Sequence, residues 1–333
     1  MKKEEKSDEV PTIAEALKDL RKQYGQGVIL QADDIPRVEA IPTNCFAIDR
    51  LLGCGGLPKG RLIEIYGEPG EGKTTLCLFF AAQIQKGGGT VVYIDAENAF
   101  NADYAEDIGV DMKKIMISQP DTMEETFATI KALIATNSID LIVVDSVAAL
   151  IPQAEAEGDN MFKETMALQA RSLGKYLRIL SGPIAKSKTI VIFINQTRSK
   201  VGNVWGNPET TPGGVALKFF SSIRLKVSKG DKIMDGDAQI GNTVKIQAIK
   251  NKVGMPFKKC SFDLFYSTGV DMIADTFNNA EELKVVFKDG LTYFFGETKL
   301  GIGRDKAILA LKGDQDLYKK VRDATTEAIK NEV

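Results

Sequence analysis

The chain has 333 residues, 43 lysines and arginines against 45 aspartates and glutamates, and a formal net charge of −2. With 44% hydrophobic and 26% charged residues it has the composition of an ordinary globular chain, long enough for about two domains. It is not a polycation, so any nucleic-acid binding must use a local patch, and with no histidine at all every triad or metal site built on imidazole is excluded.

The predicted elements begin after Pro11. Ile13, Leu17, Leu20 and Tyr24 recur with helical period. Gly25 and Gly27 stop that helix, and Val28-Ile29-Leu30 reads as a short strand. Residues 1–35 hold too little chain for a core of their own. They read as an arm that packs on something else, a neighbouring subunit being the candidate. From residue 36 to about 268 the pattern changes. Nearly continuous apolar runs, Leu62–Tyr66, Val91–Ile94, Leu141–Val144 and Thr189–Ile194, alternate with helix-like stretches such as Thr74–Lys86, Met123–Thr136 and Thr165–Leu180. Runs of that kind suit parallel strands buried on both faces, and the alternation predicts an α/β layered domain. The later runs Ile223–Val227, Val244–Ile249 and Ser261–Tyr266 have little helix between them and are expected to extend the sheet with antiparallel partners. Residues 269–333 read as a small α/β appendage, with helices over Asp275–Glu282 and Gln315–Lys330 and a β-like segment over Leu291–Phe295.

Cys45, Cys54, Cys77 and Cys260 form no CxxC pair, which reads as free thiols in a reducing compartment. No secretory h-region opens the chain and no apolar run approaches the ~20 residues of a membrane span. A cytoplasmic protein is expected, with no membrane partner.

The most informative segment is Gly67-Glu68-Pro69-Gly70-Glu71-Gly72-Lys73-Thr74, a full match to GxxxxGK[ST] between an apolar strand and a helix. Glycines let the loop turn its N–H groups inward as an anion nest, and the helix start adds its dipole. Lys73 can reach β- and γ-phosphates, Thr74 can offer a hydroxyl to Mg²⁺, and Thr75 follows as a further nucleotide-binding candidate. Leu141-Ile142-Val143-Val144-Asp145 supplies the carboxylate that such a loop needs at the end of a neighbouring strand, as metal holder. Hydrolysis also needs a group to activate water. Asp95 and Glu97 end a third strand at strand spacing, on one side, and the residues leave the choice between them open. Asn195-Gln196 ends the fourth strand with amides that can sense the γ-phosphate. Beyond it, residues 196–230 carry Arg198, Lys200, Lys218, Arg224, Lys226 and Lys229 with Glu209 and no other carboxylate before position 231, several glycines, and Trp205, the sole tryptophan. A long basic loop with an aromatic suits a phosphodiester backbone. After Asp145, a break at Gly158-Asp159-Asn160 precedes Met161 and Phe162, which can wedge between bases or pack on the next helix.

The runs GRLIEIYGEPGEGKTTL, VVYIDAEN, LIVVDSVAALIPQAEAEG, IFINQTRSKVG, WGNPETTPGG and KNKVGMPF together resemble the RecA family of bacterial recombinases. That resemblance implies a RecA-type P-loop ATPase core (36–268) with a mostly parallel twisted sheet flanked by helices, an amino-terminal helix–strand polymerisation arm (1–35) and a small carboxy-terminal α/β domain (269–333). It implies DNA-dependent ATP hydrolysis with Mg²⁺, helical filaments of the chain on single-stranded DNA, pairing and strand exchange with homologous duplex, and a place in repair and the SOS response, with a self-cleaving repressor as a further partner. It assigns catalysis to Glu97 with Lys73 and Gln196, base stacking to Tyr104, and contact with the neighbour's nucleotide to Lys250 and Lys252. It places DNA-binding loops at about Glu157–Thr165 and Thr197–Thr211, adding Met166, Arg171, Arg178, Gly213 and Gly214 to Met161, Phe162, Arg198, Lys200 and Trp205. Trp205 stands where the family usually has phenylalanine, Asn98 where it has histidine, and Asn101 where aspartate is common. A RecA-fold ATPase that forms closed rings, helicase-like or regulatory, is the alternative.

Overall fold

A computed structural model describes residues 12–29, 31–35, 37–157, 165–199 and 209–331. The chain divides into two compact units, Met1–Val38 and Glu39–Val333.

The first unit holds α1 (Ile13–Tyr24). Thr12 and Glu15 close a capping box at its start, and Gly25 ends it with φ +92°. No residue of α1 is buried. The strand expected over 28–30 is not formed: Gln26–Val28 is a single 3-10 turn, a second turn covers Ala32–Asp34, and Leu30 lies outside the described residues. The physical reason is pairing. Among the described residues of the unit this apolar run has no ladder partner, and a lone strand does not hold.

The second unit opens with β1 (Ala40–Ile41), α2 (Phe46–Leu52) and β2 (Leu57–Pro58), β1 pairing with β2. The alternating region follows: β3 (Leu62–Gly67), α3 (Lys73–Lys86), β4 (Val91–Asp95), α4 (Ala102–Asp107), β5 (Ile115–Ser118), α5 (Met123–Ala135), β6 (Leu141–Asp145), the short α6 (Gln153–Ala156), α7 (Thr165–Ser187) and β7 (Ile190–Gln196). A two-residue ladder, β8 (Arg198–Ser199) with β9 (Glu209–Thr210), precedes α8 (Ala216–Phe220). Then come β10 (Ile223–Asp235), β11 (Ala238–Asn251), β12 (Lys259–Phe265) and β13 (Gly269–Val270). The main sheet has nine strands in the order β13-β12-β11-β10-β3-β7-β6-β4-β5. The strands from β10 to β5 are mutually parallel. The antiparallel extension starts one strand later than the sequence suggests, because β10 lies parallel to β3, with Ile223 opposite Ile63. The connection from β7 through α8 is long enough to return the chain to the start of the sheet, as a parallel neighbour requires.

Both faces are covered. Ile63 and Ile65 join α2 and α3 in one core, while Leu62, Ile142 and Val144 face α5 and α7 in another. Each such fully buried side chain contributes about 1.5–3 kcal/mol. The carboxy-terminal region has a third cluster around Phe277, Tyr293 and Leu300. It comprises α9 (Met272–Glu282), a meander of β14 (Phe287–Asp289), β15 (Thr292–Phe295) and β16 (Thr298–Ile302), then α10 (Arg304–Gly313) and α11 (Gln315–Asn331). The sequence reading found α9, β15 and α11, but not β14, β16 or α10. Only Leu300 of β16 is buried, too faint an alternation to read.

Helix α9 docks onto α2 through polar contacts. Cys45 offers α2 no side-chain cap. Asp275 supplies one, accepting from Phe46 N at 2.6 Å and Ala47 N at 3.0 Å. Arg50 and Glu282 form an ion pair at 2.8 Å beside it.

Candidate functional site

The site is built on strand ends. The loop of residues 67–72 leaves β3 and runs into α3. Gly72 sits at φ +86°, and a Cβ there would lie 3.3 Å from Leu264. No side chain caps α3, so the donors of its first turn remain available to an anion. Within the loop, Glu68 N donates to Glu71 Oε2 at 2.6 Å and Lys73 Nζ donates to Glu68 O at 2.6 Å. Lys73 is 7% exposed. Burial lowers its pKa, and the carboxylates of Glu71, Asp145 and Glu97 act the other way.

Strand order brings the other groups to this loop. Asp145 ends β6 and is buried; Thr74 Oγ1 donates to its Oδ2 at 2.8 Å, and Tyr93 OH donates to the same oxygen at 2.6 Å. Burial raises the Asp145 pKa, and these two donors oppose the rise. The Tyr93 phenol is held protonated, burial being the main cause and Asp145 the next.

Asp95 and Glu97 part company. Strand β4 ends at Asp95, so strand alternation does not carry on to Glu97, and the expected shared side is corrected. Asp95 is buried and accepts from Ala99 N, Phe100 N and Gln119 Nε2 at 3.0–3.1 Å. It shapes the turn. The turn itself hangs from Asp145 O, which accepts from Ala96 N and Glu97 N. Glu97 is exposed; its Oε1 accepts from Ser146 Oγ and, at 3.4 Å, from Gln196 Nε2. Gln196, the last residue of β7, is the ladder partner of Gly67. Asn195 is fully buried and engaged by structure on the other side of that strand end.

Beside the loop lies a cleft of about 210 Å³, lined by Gly70, Glu71, Gly72, Lys73, Thr74 and Thr75 on one side and by Tyr104, Lys229, Asn242 and Tyr266 on the other. Tyr104 OH and Thr75 Oγ1 share a hydrogen bond of 2.7 Å. Asn242 Nδ2 donates to Tyr266 OH at 2.6 Å. Sequence reasoning missed Asn242 and Tyr266, and read Lys229 only as one of the bases of the 196–230 stretch. They come from β10, β11 and the end of β12, whose folding over the phosphate loop follows from ladder register and from no local motif. A larger cavity of about 1060 Å³ lies between α2, β12 and the helices α9 and α11; it contains none of the motif residues.

Known proteins resemble this chain over most of its length. The family described as the RecA N-terminal domain matches residues 11–271. Protein RecA of Lactobacillus johnsonii is 44% identical over 325 residues, covering 97% of this chain and 90% of the relative. Protein RecA of Acholeplasma laidlawii is 47% identical over 313 residues, covering 92% and 94%. Protein RecA of Bacillus subtilis is 43% identical over 323 residues, covering 96% and 92%. The chain belongs to the RecA family. It is a DNA-dependent P-loop ATPase of homologous recombination and repair, a recombinase of the kind that forms filaments on single-stranded DNA and exchanges strands. The ring-forming alternative is not favoured by these relatives. Among the described residues no helix is long and apolar enough to cross a membrane.

The remaining residues that the resemblance assigns lie away from this cleft, on β11, on α7 and in the turn before α8. Lys250, on β11, donates to Lys218 O at 2.6 Å and Phe219 O at 2.9 Å; burial lowers its pKa, with Lys252 and Arg224 adding to the effect. Lys252 is exposed. Neither lines the chain's own cleft. Arg171 and Arg178 are exposed on α7, seven residues apart and so on one face. Gly213 is buried: with φ +79°, a Cβ there would run into Leu173, so packing accounts for this glycine. Gly214 is exposed. Of the other candidate DNA contacts, Met161, Phe162, Lys200 and Trp205 lie outside the described residues; for Met166 and Arg198 only the backbone, in α7 and β8, is described.

Proposed function

We propose that ATP is bound on the loop of Gly67 to Thr74, with Thr75 and Tyr104 beside it, and is hydrolysed by water that Glu97 activates. The observation that carries this is the convergence of four strand ends: Thr74 touches Asp145, and Glu97 touches both Ser146 and Gln196. Lys73 supplies a buried positive charge to the phosphates. Ser146 donates to Glu97 and fixes the carboxylate oxygen that does not then need to turn; the other oxygen takes the proton of the attacking water. Gln196 shares the Glu97 oxygen, so the end of β7 senses the same phosphate.

The Thr74 hydroxyl and the Asp145 carboxylate would hold Mg²⁺. The donor set fits. Mg²⁺ takes one or two protein oxygens and completes its shell with phosphates and water, and among the described residues no cluster of three or more carboxylate or thiol side chains forms a cage of its own. The ion supplies charge neutralisation at the phosphate oxygens.

The reading extends to assembly. Ile13 and Tyr24 are 81% and 64% exposed on α1, which suits an arm that packs on a second copy, and Lys250 and Lys252 would then meet that copy's nucleotide. Non-closing contacts of this kind build helical filaments. Arg171, Arg178, Arg198, Lys200, Met161, Phe162, Met166, Trp205 and Gly214 are the residues proposed to meet single-stranded DNA and the homologous duplex, in the cytoplasm. Base pairing and not side chains would read sequence, so binding is expected to be sequence-neutral and steeply salt-dependent. The test is ATP turnover with and without single-stranded DNA over a salt series, with electron microscopy in a non-hydrolysable ATP analogue. DNA-stimulated turnover and helical filaments are expected. Equal turnover with and without DNA, together with a chain that stays monomeric, would remove the proposal.

A further inference from the structure

Four polar side chains lie in a row on one face of the sheet, on four adjacent strands: Asn195 on β7, Glu64 on β3, Arg224 on β10 and Lys250 on β11. The register puts them there. Asn195 is opposite Tyr66, Glu64 is opposite Arg224, and Arg224 is opposite Lys250; Glu64 and Tyr66 share a face because side chains alternate with period two. It is the face of Leu62 and Phe193, under α7 and α8. Glu64 and Asn195 are fully buried and Arg224 nearly so. Asn195, Glu64 and Arg224 are bonded one to the next, while Lys250, beside Arg224 in the register, bonds instead to the end of α8. Arg224 Nε donates to Glu64 Oε2, and its guanidinium lies 4.6 Å from the Tyr66 ring centroid. Asn195 Nδ2 donates to Glu64 Oε1 at 3.1 Å and to Pro212 O at 3.2 Å, and Asn195 Oδ1 accepts from Gln196 N at 2.9 Å.

Such a row is a poor device for stability. Apolar residues of similar volume in place of a buried ion pair are often neutral or better, and each buried polar atom left unpaired costs about 1–3 kcal/mol. What the row does is fix geometry. Pro212 is the residue directly after the 197–211 loop, and Asn195 holds its carbonyl. Lys250 holds the last carbonyls of α8, at Lys218 and Phe219, where a cation also meets the negative end of the helix. The segment from Pro212 to Phe220 is therefore pinned at both ends by one row, and the same Asn195 side chain grips the backbone of Gln196.

We propose that Asn195 is a positioning residue that makes the exit of the 197–211 loop and the strand end at Gln196 move as one body, with the Glu64–Arg224 pair holding its amide in register. The inference rests on the reading that Gln196 senses nucleotide and that this loop meets DNA. A movement of Gln196 then reaches Pro212 through one side chain, and the Lys250 end of the row ties the same segment to β11, which carries Lys250 and ends just before Lys252.

Spatial adjacency alone does not establish coupling, so the test reads coupling directly. The affinity of the full chain for a fluorescent oligothymidine is measured with a non-hydrolysable ATP analogue and with ADP, alongside nucleotide affinity without DNA and the thermal midpoint. For Asn195→Ala the ratio of the two DNA affinities is expected to fall at least tenfold towards one, while nucleotide affinity stays within about threefold. Asn195→Ser keeps an acceptor for Gln196 N but is too short to reach Pro212; the same loss is expected, and this variant serves if the alanine form does not fold. A wild-type ratio in either folded variant overturns the inference. So does a parallel fall in ratio, nucleotide affinity and thermal midpoint, which would mark a merely structural residue. If the unmodified chain itself shows equal DNA affinity with both nucleotides, the reading of Gln196 and the loop is what fails, and the inference goes with it.

Discussion

Gly67 and Gln196 face each other across the ends of β3 and β7, and a loop of opposite character leaves from each. The phosphate loop closes on itself: Glu68 N is bonded to Glu71, Lys73 returns to Glu68 O, and Thr74 is tied to Asp145. The loop after Gln196 is held at its stems. Thr197 N donates to Gly67 O, β8 pairs with β9 over two residues, and Pro212 is held by Asn195. A ligand of fixed size and charge can be met by donors set in advance. In the proposed reading the second loop meets a polymer of any base sequence, which donors set in advance cannot match. The two loops leave the ends of adjacent strands in the middle of one sheet.

The contrast can be broken from the phosphate side first. Lys73→Ala should lower turnover at least ~100-fold, as removal of a preorganised transition-state charge does; phosphate release measures it, and unchanged turnover would mean the loop does not hold the triphosphate. Glu97→Gln should cost ~10²–10³-fold in kcat while ATP and DNA affinities stay within a few fold. A loss of nucleotide affinity in that variant would show Glu97 to be a binding group and not the base. On the DNA side the effects should be graded. Arg171→Ala and Arg178→Ala should each flatten the log–log salt dependence of DNA binding by about one, with ATP affinity unmoved; an unaltered slope removes that residue from the DNA surface. The smallest effect lies away from both loops. Burial raises the Asp49 pKa to about 6, while Thr43 hydrogen bonds oppose the rise. The folded state thus holds this proton more tightly than the unfolded chain, so the stability it gives is full below ~3.9 and lost as pH rises through about 6. Asp49→Asn, which keeps an acceptor for Thr43, should therefore gain on the order of 1 kcal/mol at pH 7.5 and nothing near pH 4. Melting curves at the two pH values decide it; a variant less stable at pH 7.5 refutes it.

The nucleotide half was legible because its chemistry is local. Eight consecutive residues make the phosphate loop, and an apolar run ending in Asp145 has few other uses beside it. The choice between Asp95 and Glu97 was not legible from the residues, since it depends on where β4 stops and on the two amides that hang from Asp145 O. Tyr266 and Asn242 were invisible for a related reason: antiparallel pairing of β11 and β12 carries them to the cleft, and register over such a distance leaves no mark in either segment. The segment 28–30 looked like a strand because it is apolar, but apolarity does not supply a pairing partner. Gly213 looked like a loop residue for DNA, while its burial against Leu173 gives it a packing reason.

The Asp275 cap on α2 bears on how the chain is made. The carboxylate stands 229 residues beyond the backbone amide it receives at Phe46. A ribosome therefore completes the whole nucleotide-binding sheet before the start of α2 can find its acceptor. A chain cut after Val270 would leave those amides to water, and its amino-terminal edge should be the part that proteases find first.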